Sequence, residues 1–191
     1  MTGIVWGIFL LFILGTLLAF VVFIYNRLVF IKNQCDRAWA NIDVILKQRH
    51  DELPKLIKIC EEHMKFERTT LEKVILARSA AFQASGAGVN ERARLEGELS
   101  TAIGRLLAVV EQYPELKTIQ MFTQLQGRIT SLEGELADRR EVYNDAVTNY
   151  NIAIETVPSN IIANMSGFRH RDLFKVAEAD KEDVEIKMSQ P

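Results

Sequence analysis

Three features of this 191-residue chain predict an all-α protein, with an N-terminal transmembrane helix followed by an antiparallel bundle of long helices. All 23 Lys and Arg and all 25 Asp and Glu lie after Asn26, so the first 26 residues carry no charged side chain. Beyond that point no stretch sustains the period-two alternation of a half-buried strand. Instead, apolar residues recur at helical spacing through Trp39, Ile42, Leu46, Leu53, Ile57, Cys60, Met64, Leu71 and Ile75. Residues that stop and start helices gather at 85–90 and at Tyr113 and Pro114, which divides the remainder into antiparallel arms.

The first element, within residues 1–26, is the membrane anchor. From Ile4 to Tyr25 there are 22 uncharged residues, which as a helix cover about 33 Å, the thickness of a bilayer core. Sixteen of them are Leu, Ile, Phe or Val, and together these favour insertion by on the order of 5 to 10 kcal/mol. A cleaved signal peptide would need a basic n-region, a shorter apolar core and a small-residue cleavage site, and the segment has none of these. Trp6 and Tyr25 fall near opposite ends, where amphipathic rings suit the membrane interface. Arg27, Lys32 and Arg37 follow the span while only the α-amino group precedes it, so the N-terminus is expected outside and the C-terminal domain in the cytoplasm.

Residues 27–166 form the expected bundle. Pro54 interrupts its first stripe and would kink a helix or begin a new one capped by Asp51. Because the stripe keeps its phase across Pro54, the favoured reading is one kinked helix from Arg27 to Ala84. Asn90 then caps a second helix that runs to about Gln112, and a third occupies about Ile119 to Thr156, before Pro158. Segment 167–177 is short, aromatic and basic. Burial on the bundle is its favoured place, with an anionic-lipid interface as the alternative, since Phe168, Leu173 and Phe174 interleave with Arg169, Arg171 and Lys175. Residues 178–191 read as a disordered acidic tail.

A formal net charge of -2 offers no general electrostatic case for nucleic acid as a partner. Two cysteines, Cys35 and Cys60, are too few for a disulfide framework, and about 37 Å of helix would separate them. Arg49, His50 and Asp51 adjoin Pro54, but consecutive helical residues diverge by about 100°, so a polar clamp or partner contact is favoured over acid–base chemistry. Cys60, His63 and Glu67 share a helix face without a second ligand set, which argues against a metal centre. No phosphate-binding loop, nucleophile elbow or H-E-x-x-H occurs, and no catalytic residue or cofactor is expected. Gly97 with Gly104, and Gly127 with Gly134, are heptad pairs that suit close helix contacts, the alternative being tolerated exposed glycine. Tyr143 and Tyr150, also one heptad apart, read as core residues with hydroxyls satisfied at its edge, and otherwise as a recognition surface.

Three ordered motifs carry a family resemblance. YNRLV at Tyr25 continues into AWANIDVILKQRHDELPKL at 38–56, which includes Asp43; YPELK stands at 113–117; YNDAVTNYNIAIETVPSN stands at 143–160, followed by GFRHRDLF from Gly167. In these the chain resembles the LemA family of bacterial single-span membrane proteins. The resemblance implies an anchored cytoplasmic helical bundle without established enzymatic activity, and an association with membrane quality control. Together the features point to a non-catalytic scaffold or adaptor with coiled-coil character, anchored in the lipid bilayer, that presents a cytoplasmic helical bundle and self-associates. The alternative is a sensor or regulatory subunit of a membrane enzyme such as a quality-control protease, with that membrane protein as partner.

Overall fold

The structure, a computed structural model, describes residues 2–64 and 67–175. Its elements are α1 (Thr2–His63), α2 (Arg68–Gln83), a 3-10 turn (Ala84–Gly86), α3 (Val89–Val110), α4 (Pro114–Thr118), α5 (Gln120–Glu155) and α6 (Ser159–Met165). An extended strap, 168–175, follows. Every described element is helix, turn or extended chain, in agreement with the all-α bundle that periodicity predicts. The tail expected at 178–191 lies outside the described residues.

α1 is 62 residues long, about 93 Å at the rise of an α-helix. Its N-terminal third exposes Ile4, Trp6, Phe9, Leu14 and Phe23 and is long and apolar enough to cross a bilayer, which marks the protein as membrane-associated. The helix continues without interruption past Tyr25, and its apolar stripe begins as the span ends. Buried Cys35, Ala38, Ile42, Ile45 and Arg49 follow at alternating intervals of three and four. α5, 36 residues long, runs antiparallel to this part of α1.

The single helix expected from Arg27 to Ala84 is corrected. α1 ends at His63, and α2, from Arg68, runs back alongside α1, so that Arg78 meets His50. The stripe could not reveal this reversal, because both arms of the hairpin bury their apolar faces in one core and no Gly or Pro marks the corner. Asp51 is accordingly an exposed residue inside α1 and caps nothing. α3 begins at Val89 after Gly88, and Asn90 lies in its first turn. α5 matches the expected third helix to within a residue at each end.

Two apolar clusters result. The distal one joins α1, α2, α3 and α5 through Leu53, Leu56, Val74, Leu99, Leu106 and Phe122. The cluster nearer the span joins α1, α5, α6 and the strap through Leu28, Ile42, Leu136, Val147, Ala163 and Phe174. Burial of Phe174, 2% exposed, places the described part of the aromatic and basic segment, 167–175, on the bundle.

Candidate functional site

A layer of charge separates the clusters. Arg49 sits on the buried stripe of α1 and is 0% exposed. Its guanidinium donates to the Glu96 carboxylate on α3, to Glu133 Oε1 on α5 at 2.5 Å and to Ser100 Oγ at 2.7 Å. Ser100 Oγ donates in turn to Glu133 Oε2 at 2.7 Å. The other Glu96 oxygen lies 3.2 Å from His50 Nε2. Burial works to raise the Glu96 pKa, but the hydrogen bond from His50, the charge of Arg49 and their further contacts outweigh it and hold the carboxyl below its ordinary value. A fixed cation and anion thus tie three helices at one level through Arg49 and His50, while Asp51 of the same run stays exposed.

Pro54 completes the clamp by subtraction. It has no N–H, so the carbonyl of His50 loses its normal partner one turn ahead. Arg78 fills the vacancy from α2, with Nε and Nη2 donating to His50 O at 3.1 and 3.0 Å. Arg78→Met is expected to cost about 2 kcal/mol in the parent. In a Pro54→Ala background, where the backbone donor is restored, it is expected to cost less than half as much, as read by chemical denaturation of all four variants. An equal cost in both backgrounds would mean that Arg78 acts elsewhere.

Asp43, one turn before Lys47, pairs with Arg92 at 2.6 Å, and the Arg92 guanidinium also lies over the Trp39 ring, 5.2 Å from its centroid. A cleft of ≈390 Å³ brings Asp43, His50 and Asp51 beside Phe82 and Glu96. Cys60 is buried and His63 exposed, and among the described residues no group of three or more potential metal ligands is assembled.

Tyr143 and Tyr150 open onto a second arrangement. Each is followed by an asparagine, and the two Tyr-Asn pairs bind the backbone of the strap. Tyr143 Oη donates to Asp172 O at 3.1 Å, and Tyr150 Oη to Arg169 O at 3.0 Å. Asn144 grips residue 174 twice: Nδ2 donates to Phe174 O at 3.2 Å, and Oδ1 accepts from Phe174 N at 2.8 Å. Asn151 treats residue 171 the same way, at 2.9 and 3.0 Å. The spacing has a simple origin. Seven residues of α-helix rise about 10.5 Å, and three residues of extended chain cover about 9 to 10 Å. A heptad of Tyr-Asn therefore matches every third strap residue. Phe174 inserts beside Trp39 and Tyr143, and Arg171 pairs with Asp36 at 2.6 Å. Both tyrosine pKa values are pushed up, first of all by burial.

Gly97 is buried in α3, whereas a Cβ added at Gly104, Gly127 or Gly134 would meet nothing within 4 Å. Among the described residues no other helix comes within 4 Å of a Cβ at those three. Glu96, Glu133, Ser100 and Arg78 were not among the residues that the sequence singled out. One signal was available: Glu96 stands in the apolar stripe that continues through Leu99, Ile103 and Leu106, as Arg49 stands in that of α1.

Comparison with known proteins gives the family. The chain is similar to magnetosome protein MamQ 1 of Paramagnetospirillum magneticum, 26% identical over 175 residues, covering 79% of this chain and 64% of the relative. It is likewise similar to MamQ of Magnetospirillum gryphiswaldense, 24% identical over 174 residues, with 78% and 64% covered. Protein LemA of Metamycoplasma hominis is 27% identical over 190 residues, with 96% and 85% covered. The chain thus spans a little under two thirds of the length of the MamQ relatives. Residues 38–188, which hold both the charged layer and the Tyr-Asn ladder, match the sequence model of the LemA family, and the chain belongs to that family.

Proposed function

We propose that the chain is a membrane-anchored, non-catalytic scaffold or adaptor that holds its helical bundle on the cytoplasmic side and self-associates there. The observation that carries this reading is the continuity of α1. The helix that spans the bilayer is also the spine of both apolar clusters, so the bundle stands on the membrane without a flexible linker. The positive charges at Arg27, Lys32 and Arg37 support the cytoplasmic side. Two relatives are named for the magnetosome and a third for the family alone, a spread that suits a structural module better than a single substrate.

The native thiols are poor reporters of topology. Cys35 and Cys60 are each 0% exposed, and burial pushes the Cys60 pKa up to about 11. A cysteine introduced at exposed Gln124, with Cys35→Ser and Cys60→Ser, is expected to react with a membrane-impermeant thiol reagent only after permeabilisation. Labelling of intact cells would reverse the orientation. Crosslinking in the same membranes is expected to yield multiples of the 21.7 kDa chain. Monomer alone would overturn self-association, and a stoichiometric membrane enzyme in the crosslinked product would support the regulatory-subunit reading instead.

A further inference from the structure

Where the strap leaves α6 it encloses, with α1 and α5, a cleft of ≈550 Å³ whose lining includes Tyr25, Val29, Lys32, Tyr150, Arg169 and Arg171. Its height above the membrane is set by α1. Tyr25 ends the apolar stretch, and Lys32 lies seven residues, about 10 Å, further along the same helix. The headgroup layer extends about 5 to 7 Å beyond the hydrocarbon, and a lysine stem reaches back across the difference. Phe168 closes the lower edge, edge-on to Tyr25 with ring centroids 6.0 Å apart.

The charges facing this cleft do not cancel. Arg171 is paired with Asp36, and exposed His170 with exposed Glu155 at 2.7 Å. Lys32 and Arg169 also line it, are exposed, and have no ion-pair partner among the described residues. Asn33 and Ser166 add neutral polar groups to the wall, while Val29 and Phe168 add apolar ones. A site with two uncompensated cations, neutral hydrogen-bonding groups and an apolar floor at the bilayer surface fits one phosphodiester with the start of its acyl chains.

We propose that this cleft binds the headgroup of an anionic phospholipid, with Lys32 and Arg169 receiving the phosphate. The assignment rests on α1 crossing the bilayer, and it holds whichever side the bundle occupies. Lipid binding therefore occupies the open, membrane-facing end of the arrangement whose other end is the Tyr-Asn ladder.

The full chain, purified in mild detergent and titrated with phosphatidylglycerol or phosphatidylcholine, tests this by native mass spectrometry. Phosphatidylglycerol is expected to be retained at one per chain in preference to phosphatidylcholine. A Lys32→Gln/Arg169→Gln variant is expected to lose about thirtyfold in that affinity, since each basic residue near an anionic lipid contributes roughly fivefold. Both side chains are exposed and unpaired, so the variant should melt with the parent. Lys58→Gln/Lys73→Gln, at the far end of α1 and on α2, should retain parental binding. Equal retention of the two lipids, or equal losses in the two variants, would overturn the proposal. If inorganic phosphate displaces phosphatidylglycerol at comparable concentration, the cleft takes a soluble anion and the lipid assignment fails. An inverted topology in the cysteine assay would leave these outcomes unchanged, so failure of either reading is visible separately.

Discussion

Arg49→Met is expected to cost the bundle about 3 to 5 kcal/mol, the penalty for leaving a buried charge without its partner. Glu96 is 2% exposed, and once the guanidinium is gone His50 is the one ion-pair partner left to its carboxylate among the described residues. Glu133 is less affected, because a quarter of its side chain reaches solvent. The informative comparison is Arg49→Met with Glu96→Leu. Buried ion pairs are costly to desolvate, and Arg49 Nε and His50 Nδ1 have no hydrogen-bond partner among the described residues, so an apolar layer in their place should be tolerated. The double variant is therefore expected to be more stable than Arg49→Met alone, as read by denaturant unfolding of the full chain in detergent. Single and double variants that each lose less than about 1 kcal/mol would show that the layer is not a desolvated pair.

The sign of the pH dependence follows from the same layer. Glu96 is held below its ordinary pKa in the fold, so the unfolded chain takes up its proton first as pH falls. Its contribution is fully present above the ordinary carboxylate pKa of 4.5 and is lost as pH drops through the lower folded value. In Glu96→Gln that part of the acid sensitivity should be missing.

Asn144→Ala with Asn151→Ala is expected to free the strap while leaving the helices in place. The two asparagines make four hydrogen bonds to the backbone of residues 171 and 174, and at about 1 kcal/mol net for each bond their loss amounts to roughly 4 kcal/mol. Local opening of the strap should then rise by a factor on the order of a thousand. Hydrogen exchange reads this directly, because the amides of Arg171 and Phe174 are the groups that Asn151 and Asn144 accept from. Their protection should collapse while that of α1 near Leu53 persists. Undiminished protection at both amides would mean that Phe174 and the Arg171–Asp36 pair hold the strap without the ladder.

How much of this was legible in the sequence depends on the range of the interaction. A span needs only length and the absence of charge, both local, and the end of α5 follows from a stop before Pro158. Tyr143 and Tyr150 could be read as buried with satisfied hydroxyls because heptad spacing is a property of one helix. What satisfied them lay some twenty to thirty residues further on, in a segment whose aromatic and basic composition suited lipid as well as protein.

An uncharged segment long enough to span a bilayer, a helical bundle after it and membership of the family can all be read before any folding is considered. Each of these follows from the order and periodicity of residues along the chain. The reversal after His63, the capture by Arg78 of the carbonyl that Pro54 frees, and the joining of Arg49 to Glu96 and Glu133 arise from contacts made in the fold. So does the match of every third strap residue to a heptad of Tyr-Asn. Apolar periodicity reports which face of a helix is buried but is silent on what it is buried against. A charge in a buried stripe becomes tolerable only when another element brings its counter-charge, and that pairing exists only in the folded chain.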